Sequence, residues 1–301
     1  MTGPAQPGPV QAAGPLGKLI RADSTRVRPT AEYPQPSAEF RTGANALIMM
    51  RRVAFLKVFD DGTKVFNDGT RKLDEDAGRA LLHWAATTGL GQESGLVRQV
   101  AERRTQLVRQ LRARGRHVIR LTARPEWRLA VGLGDKANPH EIGLSLHGTY
   151  GWPVIPGSSL KGLVAAWAGD SPVATSAEVK SVLGTPDSAG SVCFLDAIPA
   201  GGPEPVNVVI DVLTPHVKRY YETTGERTQG PAEPPAEYHS PVPVKFLTVT
   251  GPFSVDLYGP NAASLVIARD WLIKAGDELG AGAKTAAGYG YLSITQLGED
   301  E

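Results

Sequence analysis

The sequence is poor in several things, and each shortage removes a class of protein. It has one cysteine, Cys193. No intramolecular disulfide can form, and paired-cysteine zinc sites are excluded. Within SVCFLD the expectation is a buried apolar thiol. No run approaches the roughly 18 apolar residues that span a bilayer. No basic-then-apolar signal opens the chain, so the expectation is a cytoplasmic protein with no membrane partner. Net charge is only +1 over 301 residues, so no uniform basic coat is present, although totals hide patches.

What is abundant is glycine (34) and proline (24), beside a 41% hydrophobic content that supports a sizeable core. Residues 1–40 are rich in Pro, Gly, Ala and Gln and poor in large apolar groups, and read as a disordered leader. Residues 41–301 read as the folded domain. ALIMMRRVAFLKVF reads partly as a strand. A helix is expected over Asp74–Thr88 and a second over Ser94–Gly115. The second has an apolar stripe of Leu96, Val100, Leu107, Val108 and Leu111, with Ser94 as its cap. Strands are expected at His117–Leu121, Trp127–Val131 and Ile142–Leu146. Pro156-Gly157 then turns the chain into a helix reaching Trp167 that Ser158 or Ser159 caps.

Further strands are expected at Val192–Asp196, Val206–Leu213, Val244–Thr250, Phe253–Tyr258 and Gly290–Ile294, with a helix over Ala262–Ala275. Tyr220–Pro243 reads as a long polar, Pro-rich loop. Strands mixed with separated helices give an α+β fold.

Three segments carry candidate chemistry. LGAGAKTAAGYGYLSI, Leu279–Ile294, holds Gly280, Gly282, Lys284, Thr285 and Gly288. It fits neither GxxxxGK[ST] nor GxGxxG, and helix precedes strand where a dinucleotide fingerprint needs the reverse. Two readings stay open: an anion-binding loop of backbone N–H groups with Lys284 beside them, or a tight turn packed on a helix. PGSSLKG, Pro156–Gly162, offers Ser158, Ser159, the first helical N–H groups and Lys161 to a phosphate, or is an ordinary capped helix. From Arg98 to Arg128 stand ten arginines against Glu102 and Glu126. Arg109, Arg112 and Arg116 are candidates for phosphate-backbone contact, the alternative being a solvated or protein-facing helix.

For catalysis, the histidines give no HExxH and no third metal ligand at suitable spacing, so no metal or cofactor is expected. Asp211 and His216 in DVLTPH are the one pair that an acid–base ribonuclease could use. Tyr220 and Tyr221 are candidates for stacking on bases.

The pieces GLGDKANPHEIGLSLHGTYGWPVIPGSSLKG (Gly132–Gly162), VCFLDAIP (Val192–Pro199), VVIDVLTPHVKRYY (Val208–Tyr221), PVPVKFLTV (Pro241–Val249) and LGAGAKTAAGYG (Leu279–Gly290) follow one another in a recognisable order. In them the sequence resembles the RAMP (repeat-associated mysterious protein) superfamily, Cas7-like. Within that superfamily it resembles the family of sixth subunits of the Cmr complex, the type III-B CRISPR effector. The resemblance implies a modified ferredoxin-like or RNA-recognition-motif core with insertions. It implies a non-catalytic structural subunit that binds CRISPR RNA near its 3′ end and contributes to target RNA binding and antiviral defence. The implied partners are CRISPR RNA, complementary target RNA, and the neighbouring Cmr backbone and small subunits. The turn Gly280–Gly290 and the helix start Ser158–Lys161 would then lie on the RNA-facing side. The alternative is a metal-independent CRISPR RNA-processing endoribonuclease using His216 and Asp211. The resemblance argues against it, because target cleavage is attributed to the repeated backbone subunit.

Overall fold

The computed structural model describes residues 46–52, 75–134, 142–214 and 243–298. The expected leader over 1–40, most of the Pro-rich loop, His140, His216, Tyr220 and Tyr221 lie outside them.

The core is one antiparallel sheet. Strand β1 (His117–Pro125) sits between β8 (Phe253–Gly259) and β9 (Leu292–Gln296). The short strands β4 (Cys193–Phe194) and β5 (Ile198–Pro199) pair end to end along the other side of β8. Helices α4 (Gly157–Asp170) and α5 (Ser176–Leu183) come between β1 and β4, and α6 (Ala262–Glu278) joins β8 to β9. Taken as one strand, β4 with β5 makes the spatial order fourth, first, third, second. That is the order of a ferredoxin-like βαββαβ core.

Side-chain alternation sets the two faces. Phe253, Val255 and Leu257 of β8 and Leu121 and Ala123 of β1 are buried in the main core with Leu160 and Val164 of α4 and Leu265, Ala268 and Leu272 of α6. Each such large side chain stabilises the fold by about 1.5–3 kcal/mol. Asn261 starts α6 by accepting from the N–H groups of Ala263 and Ser264.

The opposite face carries Arg120 of β1 and Asp256 of β8, and α3 (Ser94–Ala113) covers part of it. Arg120 Nε lies 3.0 Å from Asp256 Oδ1, and Arg104 Nε of α3 lies 3.6 Å from Oδ2. Burial pushes the Arg104 pKa down, and the charges of Asp256 and Asp196 oppose that shift. Beside this ion pair, Val97 and Val100 of α3 pack on Trp152, Val154 and Ile198.

A second sheet is the ribbon of β6 (Asn207–Leu213) and β7 (Val244–Thr250). It joins the first sheet through Leu129 and Val249, whose N–H and C=O groups bond reciprocally at 2.9 and 2.8 Å. Helix α2 (Glu75–Thr87) packs on the ribbon, and α1 (Ala46–Arg52) packs on α2. Strands β2 (Gly184–Thr185) and β3 (Ser188–Ala189) form a small hairpin after α5.

Several expectations change. Residues 46–52 are helical, with Met49 and Met50 both buried in the core, which a two-residue alternation would forbid; the rest of the segment in which a strand is expected, 53–59, lies outside the described residues. Trp127–Val131 is a bent connection with one bridge at Leu129. Ile142, Leu144 and Leu146 do alternate into the core, but the segment only bridges Leu146 to Pro153. On α3 the buried stripe is Val97, Val100 and Val108, while Leu96 and Leu107 are each 40% exposed. Glu93 precedes that helix without a side-chain cap, so Ser94 is its first residue. Cys193 is exposed, because β4 ends the sheet and its thiol shares a strand face with Tyr258, away from the apolar core.

Candidate nucleic-acid interface

The glycine turn leaves α6 at Leu279 and enters β9 at Leu292. Much of its backbone is already engaged. Ala281 N–H donates to Gly290 O at 2.7 Å, Ala283 N–H to Ala130 O at 2.7 Å, and Gly290 N–H to Arg128 O at 2.8 Å. A Cβ on Gly282 would overlap the Ala130 carbonyl, and one on Gly290 would overlap the Ala281 carbonyl. Those two glycines therefore serve close backbone packing. To that extent the segment is a tight turn, with its glycines packed on the Ala130 and Ala281 backbone rather than on a helix.

The tip differs. Lys284 adopts a left-handed conformation, φ 63°, and leads into a 3₁₀ turn over Thr285–Ala287. Among the described residues the amides of Lys284, Thr285 and Ala286 have no backbone acceptor. The Lys284 ammonium has no carboxylate partner there and stands 5.5 Å from the centre of the Phe246 ring. Gly288 has open space around its Cα. Successive free amides beside a cation form a concave donor set for an anion.

Aromatic and charged groups back the tip. Phe246 of β7 meets Tyr289 edge-on at 5.5 Å, and Tyr289 lies 4.9 Å from Trp127. Arg128 stacks on the Trp127 ring at 5.1 Å and donates to Asp211 Oδ2 at 2.5 Å. Burial alone would raise the Asp211 pKa. Hydrogen bonds from Arg128, the Val212 N–H and the Tyr289 hydroxyl outweigh that and hold it below the ordinary carboxylate value. Burial and the same carboxylate push Tyr289 up. A depressed pKa makes Asp211 a weaker proton acceptor than a free aspartate.

The second site is differently built. Pro156 is the N-cap of α4, and neither Ser158 nor Ser159 makes a capping bond. Gly157 N–H donates to Asp196 Oδ1 at 2.7 Å, so a carboxylate already sits at the helix start. Ser158 is exposed, Ser159 and Lys161 half-buried. Gly157 lies against Phe194, which pairs with Leu257 opposite Ile119, whereas the glycine turn lies beyond Pro125. Six positions along β1 are about 20 Å. The two segments do not converge on one pocket.

Of the ten arginines, Arg104 and Arg120 hold Asp256, Arg124 pairs with Glu204 and Arg128 with Asp211. Arg109, Arg112 and Arg116 are exposed on or just after α3. Sequence reasoning missed Trp127, Arg128 and Tyr289. They meet only because the turn after β1 and the turn before β9 lie side by side, and the GYGY stretch was the one local hint. Among the described residues no group of three or more His, Cys, Asp or Glu is placed to hold a metal ion. No helix there is long and apolar enough to cross a membrane.

The chain is 28% identical to the CRISPR system Cmr subunit Cmr6 of Pyrococcus furiosus, over 58% of this chain and 68% of that protein. A chain of the type III-B Cmr-beta complex bound to cognate target RNA superposes with a TM-score of 0.56 at 18% identity, covering 87% of this chain and 85% of that one. Its likeness is one of fold. The crystal structure of the Pyrococcus furiosus Cmr6 matches 60% of this chain and 98% of its own length at 25% identity, with a TM-score of 0.39. The sequence profile of the RAMP superfamily matches residues 128–293, more than half of the chain, from the bend after β1 to the first two residues of β9. The chain belongs to the RAMP superfamily.

Proposed function

We propose that this chain is a non-catalytic structural subunit of a type III-B CRISPR ribonucleoprotein. It binds CRISPR RNA near its 3′ end beside neighbouring Cmr backbone and small subunits. Through that role it contributes to target RNA binding and antiviral defence. The observation that carries this reading is the tip of the glycine turn: three amides without backbone acceptors, and a lysine without a carboxylate partner, among the described residues of a chain of the RAMP superfamily. The 28% identity to a Cmr6 subunit supports the same assignment. In this reading Gly280, Gly282, Thr285 and Gly288 shape the turn that meets the sugar–phosphate strand. Ser158, Ser159 and Lys161 make a weaker contact, and Arg109, Arg112 and Arg116 supply long-range attraction.

The test is binding of the full chain to labelled CRISPR RNA over a salt series. Lys284→Ala should weaken binding several-fold and reduce the salt slope by about 0.7, the loss of one contact to a single strand. Reversing Arg109, Arg112 and Arg116 to glutamate should reduce both further. Unchanged affinity and slope in both variants would remove the RNA-binding assignment. Cleavage of the RNA by wild type, abolished in His216→Ala, would replace it with the endoribonuclease reading.

A further inference from the structure

Among the described residues Trp127 is the large aromatic that the fold leaves most open, at 52% exposure. Such a ring costs solvation, and a free tryptophan on a loose loop would find cover. Here the backbone on both sides is fixed. Glu126 N–H donates to Tyr291 O at 2.9 Å, and Arg128 O accepts from Gly290 N–H at 2.8 Å. The side chain is also held, with Tyr289 at 4.9 Å and the Arg128 guanidinium at 5.1 Å. Even with both neighbours against it, half of the residue faces water.

Arg128 is committed to Asp211, and Tyr289 donates to the same carboxylate. Neither is available as a phosphate ligand, so together they act as a frame for the indole. Beyond Tyr289 the row continues through Phe246 to the Lys284 ammonium. A half-exposed indole on a fixed backbone thus stands at one end of a row whose other end carries a lysine with no carboxylate partner, and amides with no backbone acceptor, among the described residues. Single-stranded nucleic acid has that pairing of chemistries, with flat bases beside an anionic backbone.

We propose that Trp127 is a stacking platform for an unpaired base of the RNA whose backbone meets the Lys284 tip. This rests on the RNA-binding reading above and adds the residue that takes a base. Stacking accepts any base, so the platform supplies affinity and register without sequence preference.

The test compares a short fluorescein-labelled single-stranded RNA with an abasic oligomer of the same length and charge, each titrated with the full chain. Trp127→Ala should weaken the base-bearing RNA about tenfold, in line with aromatic stacking in single-strand binders. It should leave the abasic oligomer and the salt slope unchanged, and Trp127→Phe should restore most of the loss. The melting temperature of Trp127→Ala should stay near wild type, since the ring is half exposed. Equal affinity of Trp127→Ala and wild type for both oligomers would overturn the platform. So would normal RNA binding with loss of assembly with neighbouring subunits, which would make the indole a protein contact. Absence of any RNA binding by wild type would instead remove the parent reading and the platform with it.

Discussion

Pro156–Lys161 and Lys284–Gly288 combine the same ingredients: glycine, small residues and a lysine at the start of a helical turn. Their electrostatics are opposite. At α4 the carboxylate of Asp196 accepts from the first amide, so the positive end of the helix is already answered from within the chain. At the glycine turn Lys284 has no carboxylate partner among the described residues, and Asp211, opposite Phe246 on the ribbon, is held by Arg128, Val212 and Tyr289. A motif that looks like an anion site becomes one only where the rest of the fold has left the charge uncompensated. The arginines repeat the lesson in part: Arg104 and Arg120 share the buried Asp256 carboxylate, while Arg109, Arg112 and Arg116 are exposed.

The largest test of that division concerns Asp256. Replacing it with asparagine leaves Arg104 and Arg120 buried without their shared carboxylate, which should cost about 3–5 kcal/mol. Urea denaturation monitored by circular dichroism measures it. If Asp256→Asn were as stable as wild type, the sheet-face arginines would not depend on that carboxylate, and the contrast would fail. Next in size is the pair Gly290→Ala and Gly288→Ala. Both glycines have positive φ, 84° and 88°, but only Gly290 faces a backbone carbonyl where the new methyl would go. Gly290→Ala should destabilise by about 3 kcal/mol, combining backbone strain with overpacking. Gly288→Ala should cost only about 1 kcal/mol. Equal losses would mean that the turn is not held by its contacts with Ala281 and Ala130.

A smaller effect is the acid dependence of the Asp211 cluster. Its native pKa is depressed. The stabilisation is therefore complete above the ordinary aspartate value of about 3.9 and lost as pH falls through the lower native value. Asp211→Asn should remove about 1–3 kcal/mol at neutral pH, the worth of hydrogen bonds to a charged group, and little at the acid end. Thermal melts at pH 7 and pH 3 measure the difference. A loss of the same size at both would show that the carboxylate charge is not what ties β6 to the glycine turn.

How much of this could be read from the chain depends on how local the signal was. Val244–Thr250 was legible to the residue, and α2, α3 and α6 to within a few residues, because apolar spacing over such lengths is a local property. The capping box of α5, Thr175 with Glu178, was also written locally and went unread. The helix Ala46–Arg52 is not legible locally, because a short mixed apolar run has no decisive period. The glycine turn stood out in composition, but its division into packed glycines and an open tip depends on Ala130, about 150 positions away. Trp127, Arg128, Asp211, Phe246 and Tyr289 have no common spacing at all. Only the antiparallel register of β1 with β9 and the Leu129–Val249 bridge bring them together.

The smallest expected change is the most direct on the opening contrast. Asp196→Asn keeps a side-chain acceptor for the Gly157 amide while removing the charge at the start of α4. The fold should lose about 0.5–1 kcal/mol, the range for a charge near a helix end. RNA affinity gives the sharper reading. If Asp196 screens that helix start from phosphate, its neutralisation should raise affinity about two- to threefold, by up to about 0.6 kcal/mol. Lys161→Ala should then cancel the gain. If affinity is unchanged while Lys284→Ala still weakens binding, the helix start plays no part in holding RNA. The contrast between the two sites would then be complete, with one lysine serving the ligand and the other only the solvent.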